Sequence, residues 1–395
     1  MHTTSTQVMN YHKNMPPIYL DNNATTPLDP LVREVIEECL RNIHGNASSI
    51  HAYGRRARVA IENAREEIAA LLGALSHEMY FTSGGTEANN LAIQGIYLKE
   101  KNRGNHIITT RVEHPSILAT MKYLEKEGAL VTYLPVDNAG RITIHELQEA
   151  ITDKTILISV MLANNEIGNI YPLKKISQIA HAKNILVHTD AVQAVGKIPV
   201  NIPNIGVDVL SLSAHKFYGP KGIGALYIKQ GLSIEPIMHG GGQERAIRPG
   251  TENTAAITGF GKAAELIRAH LSQEMERIFN MRKKLERGIL EKIPDAHIYG
   301  ELDHRIPGTL NVGFTHIEGE ALLLNLDLAQ IAVSSGSACS SGSLDPSPVL
   351  LALGLSQQEA KSAIRMSLGR FNTEEEIDFV LEILPTIITR LKNTH

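Results

Sequence analysis

Short apolar runs alternate with amphipathic stretches through the middle of the chain, from about Phe81 to Lys229. HIITT, ALVTYLPV, TILISVML, ILVHTDA, VDVLSLSAH and GIGALYI read as strands, as does the start of MYFTSGGTEANNLAIQGIYL before its glycine turn and helix. SILATMKYLEKEG, TIHELQEAI and PLKKISQIAHAKN carry helical spacing between them. Thr143 with Glu146 makes a capping box for the second of these, and Pro172 fits the first turn of the third. Apolar strands alternating with helices predict a sheet covered on both faces. Upstream, the turn-rich IYLDNNATTPLDP precedes expected helices over 31–40 and 55–72, the latter stopped by Gly73. Downstream, a long helix is expected over 253–289, then strands in GTLNVGF, IAVSSG and AIRMSLG, and a closing helix in EEEIDFVLEILPTIITRL. The fold class is therefore α/β, with a large, mainly parallel domain and a smaller α+β end.

Composition narrows the setting. A chain of 395 residues needs more than one small core. The balance of 38 basic against 42 acidic side chains gives a net charge of -4, which points to no nucleic-acid groove and no charged membrane face. No run of 18 apolar residues is present, so no membrane span is expected. The opening MHTTSTQVMNYHKNMPP lacks the apolar core of a signal peptide and reads as a loose tail. Two cysteines, Cys39 and Cys339, make no disulfide framework; a reducing, cytoplasmic location fits. Cys39 lies on the apolar face of VREVIEECL and reads as buried.

Several segments carry candidate chemistry. SGGTEANN stands between a strand and a helix. Gly84 and Gly85 let backbone approach a ligand, the helix start favours a phosphate, and Thr86 adds a hydroxyl. The same residues also suit an ordinary tight turn. Asp190 ends an apolar strand, where open α/β sheets place their sites; its carboxylate suits a positive ring nitrogen or a helix cap. Gln193 follows one turn later. Lys216 follows a strand directly in LSLSAHKFYGPKGIG, placed either for imine chemistry with Ser213 and His215 as neighbouring donors, or as a surface lysine starting a loop.

His114, before a proline in VEHPS, has the flat imidazole that stacks on a ring or relays protons. Cys339 lies in AVSSGSACSSGSLDPS, among small residues that read as an exposed loop with a reactive thiol. No second cysteine is near it, which argues against a dithiol or a self-contained zinc site. Arg365 sits inside the apolar AIRMSLGRF, where its guanidinium needs either a substrate carboxylate or an internal ion pair.

In order and spacing, YLDNNATTP, HGNASSIHAYG, FTSGGTEANN, VEHPSI, NNEIG, HTDAVQ, SAHKFYGPKGIG, GGGQERAIRPGTEN, SSGSACSSGSLDPS and IRMSLGR resemble the class V aminotransferase-type enzymes that use pyridoxal 5'-phosphate (PLP). Among these the chain resembles the cysteine desulfurases of the nitrogen-fixation and iron–sulfur assembly group. The resemblance covers everything after the tail. It implies the aspartate-aminotransferase type of PLP fold and a homodimer, with a tail at 1–17, a large PLP-binding domain at 18–267 and a small domain at 268–395 carrying the cysteine loop. It implies that Lys216 holds PLP as a Schiff base, His114 stacks on the ring, Asp190 keeps the ring nitrogen protonated and Gln193 meets the ring hydroxyl. Thr86, Gly85, Ser213 and His215 would hold the phosphate, with Thr251 reaching the cofactor of a partner subunit. Asn165 and Arg365 would grip the carboxylate of L-cysteine. Cys339 would attack the substrate sulfur, leave alanine and carry a persulfide to an iron–sulfur scaffold or other acceptor protein, serving transiently as an iron–sulfur ligand.

SSGSACSSG differs from the RxGxxC setting of the branch that includes enzymes favouring selenocysteine. Ala47 in HGNASS stands where many relatives carry proline. Selenocysteine lyase and another PLP aminotransferase or lyase are the enzymatic alternatives; a persulfide-carrying or scaffold-binding protein that uses the cysteine loop only as a docking arm is the non-enzymatic one.

Overall fold

A computed structural model of the chain describes residues 16–335 and 345–393. Its strands are β1 (Ile18–Tyr19), β2 (Met79–Thr82), β3 (His106–Thr110), β4 (Leu130–Leu134), β5 (Thr155–Ser159), β6 (Leu186–Asp190), β7 (Val209–Ser213), β8 (Gly224–Ile228), β9 (Ala296–Tyr299), β10 (Thr309–Phe314), β11 (Ile331–Ala332), β12 (Ser334–Ser335) and β13 (Ala363–Ser367). Seven of these form one sheet in the order β2-β8-β7-β6-β5-β3-β4. Only β8 runs against its neighbours, antiparallel to both β2 and β7; the other pairings are parallel.

The continuous apolar runs of the sequence are explained by cover on both faces. β3, β5, β7 and β8 are buried at every position. Neighbouring residues divide between two cores by the period of a strand: Ile107, Leu157, Val209 and Leu226 join the helices Gly85–Glu100 and Pro115–Lys126. Ile108, Ile158, Leu210 and Ala225 join the opposite core, which includes residues of the helix Ala52–Leu72.

A second, antiparallel sheet has the order β12-β13-β10-β9. Leu310, Val312, Ile364 and Met366 from it pack with Ile377 and Leu384 of the closing helix Glu374–Lys392. β1 pairs in parallel with β11, so Ile18 and Leu20 near the start of the described chain belong to this second core. One 39-residue helix, Thr254–Lys292, serves both cores: Ile257, Phe260 and Ile267 face the first, and Met281, Leu285 and Ile289 the second.

The expected helices over 31–40, 55–72 and 253–289 are present as Pro30–Asn42, Ala52–Leu72 and Thr254–Lys292. Gly73 caps the second with φ 67°, the left-handed value a side chain disfavours. The Thr143 side chain accepts from the Glu146 amide as a cap should. Pro172 lies one residue earlier than expected, capping Leu173–His181 rather than lying inside its first turn. IAVSSG divides into β11 and β12, which belong to different sheets. β9 has no counterpart in the sequence reading; it is four residues long and only its first residue is buried. Cys39 is buried. Among the described residues, no helix is long and apolar enough to cross a membrane.

Candidate active site

The carboxyl ends of the two central parallel strands deliver the first side chains. Asp190 is the last residue of β6 and Ser213 the last of β7, and Lys216 closes the single 3₁₀ turn that follows. Tyr218, two residues on, has φ 68°, a strained value for a non-glycine, as the chain turns sharply away from the sheet. The Lys216 Nζ donates to the carbonyls of Asn23 (2.6 Å) and Ala24 (2.8 Å).

Asp190 is buried, and both of its oxygens are held. Oδ1 accepts from the Val192 amide at 2.9 Å and Oδ2 from Asn89 Nδ2 at 2.7 Å. Asn89 Nδ2 also donates to Ser116 Oγ at 2.9 Å, and the Ser116 amide donates to His114 Nδ1 at 3.1 Å. Nδ1 is thus an acceptor, which places the proton of a neutral imidazole on Nε2. Burial holds the His114 pKa below the usual histidine value; the Asp190 carboxylate opposes that shift and the Lys216 ammonium adds to it. His114 is therefore within electrostatic reach of both charges.

The glycine turn packs against the same strand end. Gly84 has φ 157° and ψ −178°, a combination open essentially to glycine alone. A Cβ on Gly85 would come within 2.7 Å of Val192 Cγ2, and one on Gly84 would stand 3.8 Å from Ser213 Oγ. Gly85 opens the helix Gly85–Glu100 and Thr86 is exposed beside it. His215 Nδ1 lies 3.1 Å from Thr25 Oγ1. Burial, then the charges of Lys216, Lys221 and Lys197, push the His215 imidazole down to about 4. Arg248 Nε donates to Glu87 Oε1 at 2.8 Å, which ties the RPGTEN segment to this helix start. Thr251 itself is exposed.

Arg365, on β13, is 1% exposed. Its Nη2 donates to Asp21 Oδ1 at 2.7 Å and its Nη1 to the Asn165 carbonyl at 3.1 Å. Of the two readings of this arginine, the internal ion pair is the one present here. Beside Asn165, Glu166 accepts from Ser347 Oγ; burial raises its carboxyl to about 7 against the pull of Ser347 and Arg365.

Two residues in the site were missed by the sequence reading. The Asn23 carbonyl accepts from Lys216 and, at 2.8 Å, from Gln193 Nε2. Its Nδ2 donates to the Asn165 carbonyl (3.0 Å) and Thr309 Oγ1 (2.8 Å), and its amide to Ser367 Oγ (2.9 Å). Lys197 Nζ donates to Asn23 Oδ1 at 2.7 Å and Gln193 Oε1 at 2.5 Å. Burial, Lys216 and Arg365 hold the Lys197 pKa well below the usual lysine value. Asn23 stands in YLDNNATTP without a signal separating it from Asn22, and nothing in VGKIP marks Lys197.

The donor set fits PLP. It comprises a strand-end amine, a buried carboxylate held by two N–H groups, an imidazole in reach of both, and a glycine turn at a helix start packed on Ser213. Cys339, and with it the expected iron–sulfur ligand, lies outside the described residues. Among the described residues, no cluster of histidine, cysteine and carboxylate side chains could hold a metal ion.

The family model described as "Aminotransferase class-V" matches residues 18–380. A protein of Clostridium botulinum (strain Hall) named cysteine desulfurase IscS is 50% identical over 373 residues, covering 94% of each chain. One of the same name from Dictyoglomus turgidum is 49% identical over 375 residues, covering 95% of each. A solved NifS-like protein superposes with a TM-score of 0.90 at 40% identity, covering 95% of this chain and 100% of the other. The fold is thus that of the NifS-like, PLP-dependent transferases, and the chain belongs to the class-V aminotransferase family.

Proposed function

We propose that the chain is a cysteine desulfurase that uses PLP to take sulfur from L-cysteine, releasing L-alanine and leaving a persulfide on Cys339 for iron–sulfur cluster assembly. Support comes from the relatives of that name, matched at about half identity along nearly the whole chain. The geometric observation that carries the reading is the Lys216 amine at the sheet's carboxyl edge, with the His114 imidazole in electrostatic reach of both Lys216 and Asp190.

When bound, PLP supplies an electron sink for the substrate carbon. Lys216 would hold it covalently and, once released, carry protons to and from the substrate. Asp190 would keep the ring nitrogen protonated, its oxygens already fixed by Asn89 and Val192. The neutral His114 would stack on the ring with Nε2–H turned toward the reacting groups, and Gln193 would meet the ring hydroxyl. Gly85, Thr86, Ser213 and His215 would hold the phosphate, helped by Thr251 of a second subunit in a homodimer. Asn165 and Arg365 would bind the substrate carboxylate, with Arg365 exchanging Asp21 for it.

The Cys339 thiolate would attack the sulfur of the bound cysteine. The carbon–sulfur bond breaks, a sulfur–sulfur bond forms, and a proton is delivered to the carbon that becomes the methyl of alanine. An acceptor thiol, on an iron–sulfur scaffold or another protein, would then attack the outer sulfur, taking it as its own persulfide and releasing the Cys339 thiolate. Another PLP transferase would share Lys216, Asp190 and His114 and have no use for Cys339. The test is Cys339→Ser in the holoenzyme. Cofactor absorbance is expected to persist while sulfide release is lost, and brief exposure of the wild type to cysteine should add one sulfur to the Cys339 peptide. Added sulfur on Cys39, or normal turnover by the variant, would overturn the reading.

A further inference from the structure

Two amines converge on one asparagine. Lys216 Nζ donates to the Asn23 carbonyl at 2.6 Å, and Lys197 Nζ to Asn23 Oδ1 at 2.7 Å. Gln193 closes a ring between them: its Oε1 accepts from Lys197 at 2.5 Å while its Nε2 donates to the Asn23 carbonyl at 2.8 Å. A side-chain amide can present either end to a neighbour. A donor that cannot accept, placed at one end, fixes the orientation. Lys197 leaves Gln193 with its nitrogen toward Asn23 and Lys216, and so with a second N–H to offer a ligand held there.

The surrounding charges are unequal. From β13 comes Arg365, from the turn after β7 come Lys216 and His215, and from the segment after β1 comes Asp21. His114, at the start of the helix Pro115–Lys126, feels both Lys216 and Asp190 at the end of β6. The two acceptors on Lys197 are neutral amide oxygens, which take two of its N–H groups, and no carboxylate pairs with it among the described residues. Its only opposing charge in this group, Asp21, is already engaged by Arg365.

We propose that Lys197 is a positioning residue of this active site, orienting the Gln193 amide and, in its protonated form, placing a second positive charge beside Lys216, so that the nitrogen through which Lys216 would hold PLP loses its proton more readily. The proposal rests on the PLP reading of Lys216 given above. Like charges in close company disfavour the protonated state, which is one way a lysine is made reactive. Burial first, and then the charges of Lys216 and Arg365, lower the proton affinity of Lys197 itself.

The experiment compares holoenzymes of the wild type, Lys197→Gln and Lys197→Arg. The pH midpoint of the visible cofactor band should rise by about one unit in Lys197→Gln, a shift of the size a neighbouring charge produces, and stay near wild type in Lys197→Arg. Titration of the apoenzyme with PLP should show binding weakened about fivefold or more in Lys197→Gln, because Gln193 loses its fixed orientation. Lys197→Met, a second neutral variant, must show the same rise and covers the case in which Lys197→Gln does not fold. A wild-type band with an unmoved midpoint and unchanged PLP affinity in the neutral variants would overturn the proposal and leave the cofactor reading standing. No band in the wild type would bring down both.

Discussion

Arg365 and Asp21 form an ion pair, Nη2 to Oδ1 2.7 Å, in which the arginine is 1% exposed and its Nε has no partner among the described residues. A buried fork with one arm on a carboxylate, the other on a carbonyl and Nε spare is suited to trading the protein carboxylate for that of a substrate. Lysine at this position keeps the charge and loses the fork. Arg365→Lys is expected to raise KM for cysteine about tenfold or more, the cost of a charge-assisted hydrogen bond, with PLP content unchanged. Steady-state kinetics on cofactor-matched protein check this, and an unchanged KM refutes it.

Asp190 accepts N–H donors at both oxygens; an amide in its place keeps the volume and loses the charge, and Asn89, whose Oδ1 has no partner among the described residues, can turn that oxygen to the new NH2. Asp190→Asn should lower turnover by about a hundredfold or more, the scale on which one preorganised electrostatic partner counts, and should lower PLP content far less. The check is kcat normalised to bound cofactor. Wild-type turnover at equal occupancy would exclude a role for the carboxylate.

Glu113, next to His114, makes a prediction about stability. Its Oε1 accepts from the Met161 amide (3.0 Å) and Thr110 Oγ1 (2.9 Å), and Oε2 has no partner among the described residues. Burial pushes its carboxyl up to about 8. A carboxyl with a higher pKa in the folded state binds its proton more tightly there. Its contribution to stability is whole below the unfolded value and is lost as pH rises through about 8. In Glu113→Gln this loss cannot occur. As pH rises from about 5 to about 9, across the unfolded and folded values, the wild-type melting temperature should fall by several degrees relative to the variant. Parallel pH profiles for the two proteins would contradict the burial argument.

The sheet and both of its faces were legible because burial on two sides forces unbroken apolar runs, and Val209-Leu210 or Leu157-Ile158 can be read as strand whichever way each residue points. Asp190, Ser213 and Lys216 were legible because they end such runs. β9 was not, since AHIY buries one residue and pairs through its backbone with β10. Asn23 and Lys197 escaped for a different reason. Their roles come from long-range hydrogen bonds across the fold, of Asn23 to Lys216, Thr309 and Gln193 and of Lys197 to Asn23, and neither local periodicity nor a strand end points to such partners. Arg365 shows the reverse limit. Its burial was foreseeable from the apolar residues around it, but Asp21, the partner it chose, lies on a segment distant in sequence.

The helix Thr254–Lys292 has a practical consequence for anyone wishing to cut the protein into pieces. Its 39 residues form an unbroken rod roughly 58 Å long at the standard rise per residue. A chain ended at 267 would stop in mid-helix, and would also lose Val349, Leu350 and Leu353, which pack into the first core from far downstream. A fragment begun at 268 would lack Ile18 and Leu20, which fill the second. Each half borrows sequence from the other, so a stable excised lobe calls for a circularly rearranged chain or a grafted segment, and a simple stop codon will not yield one.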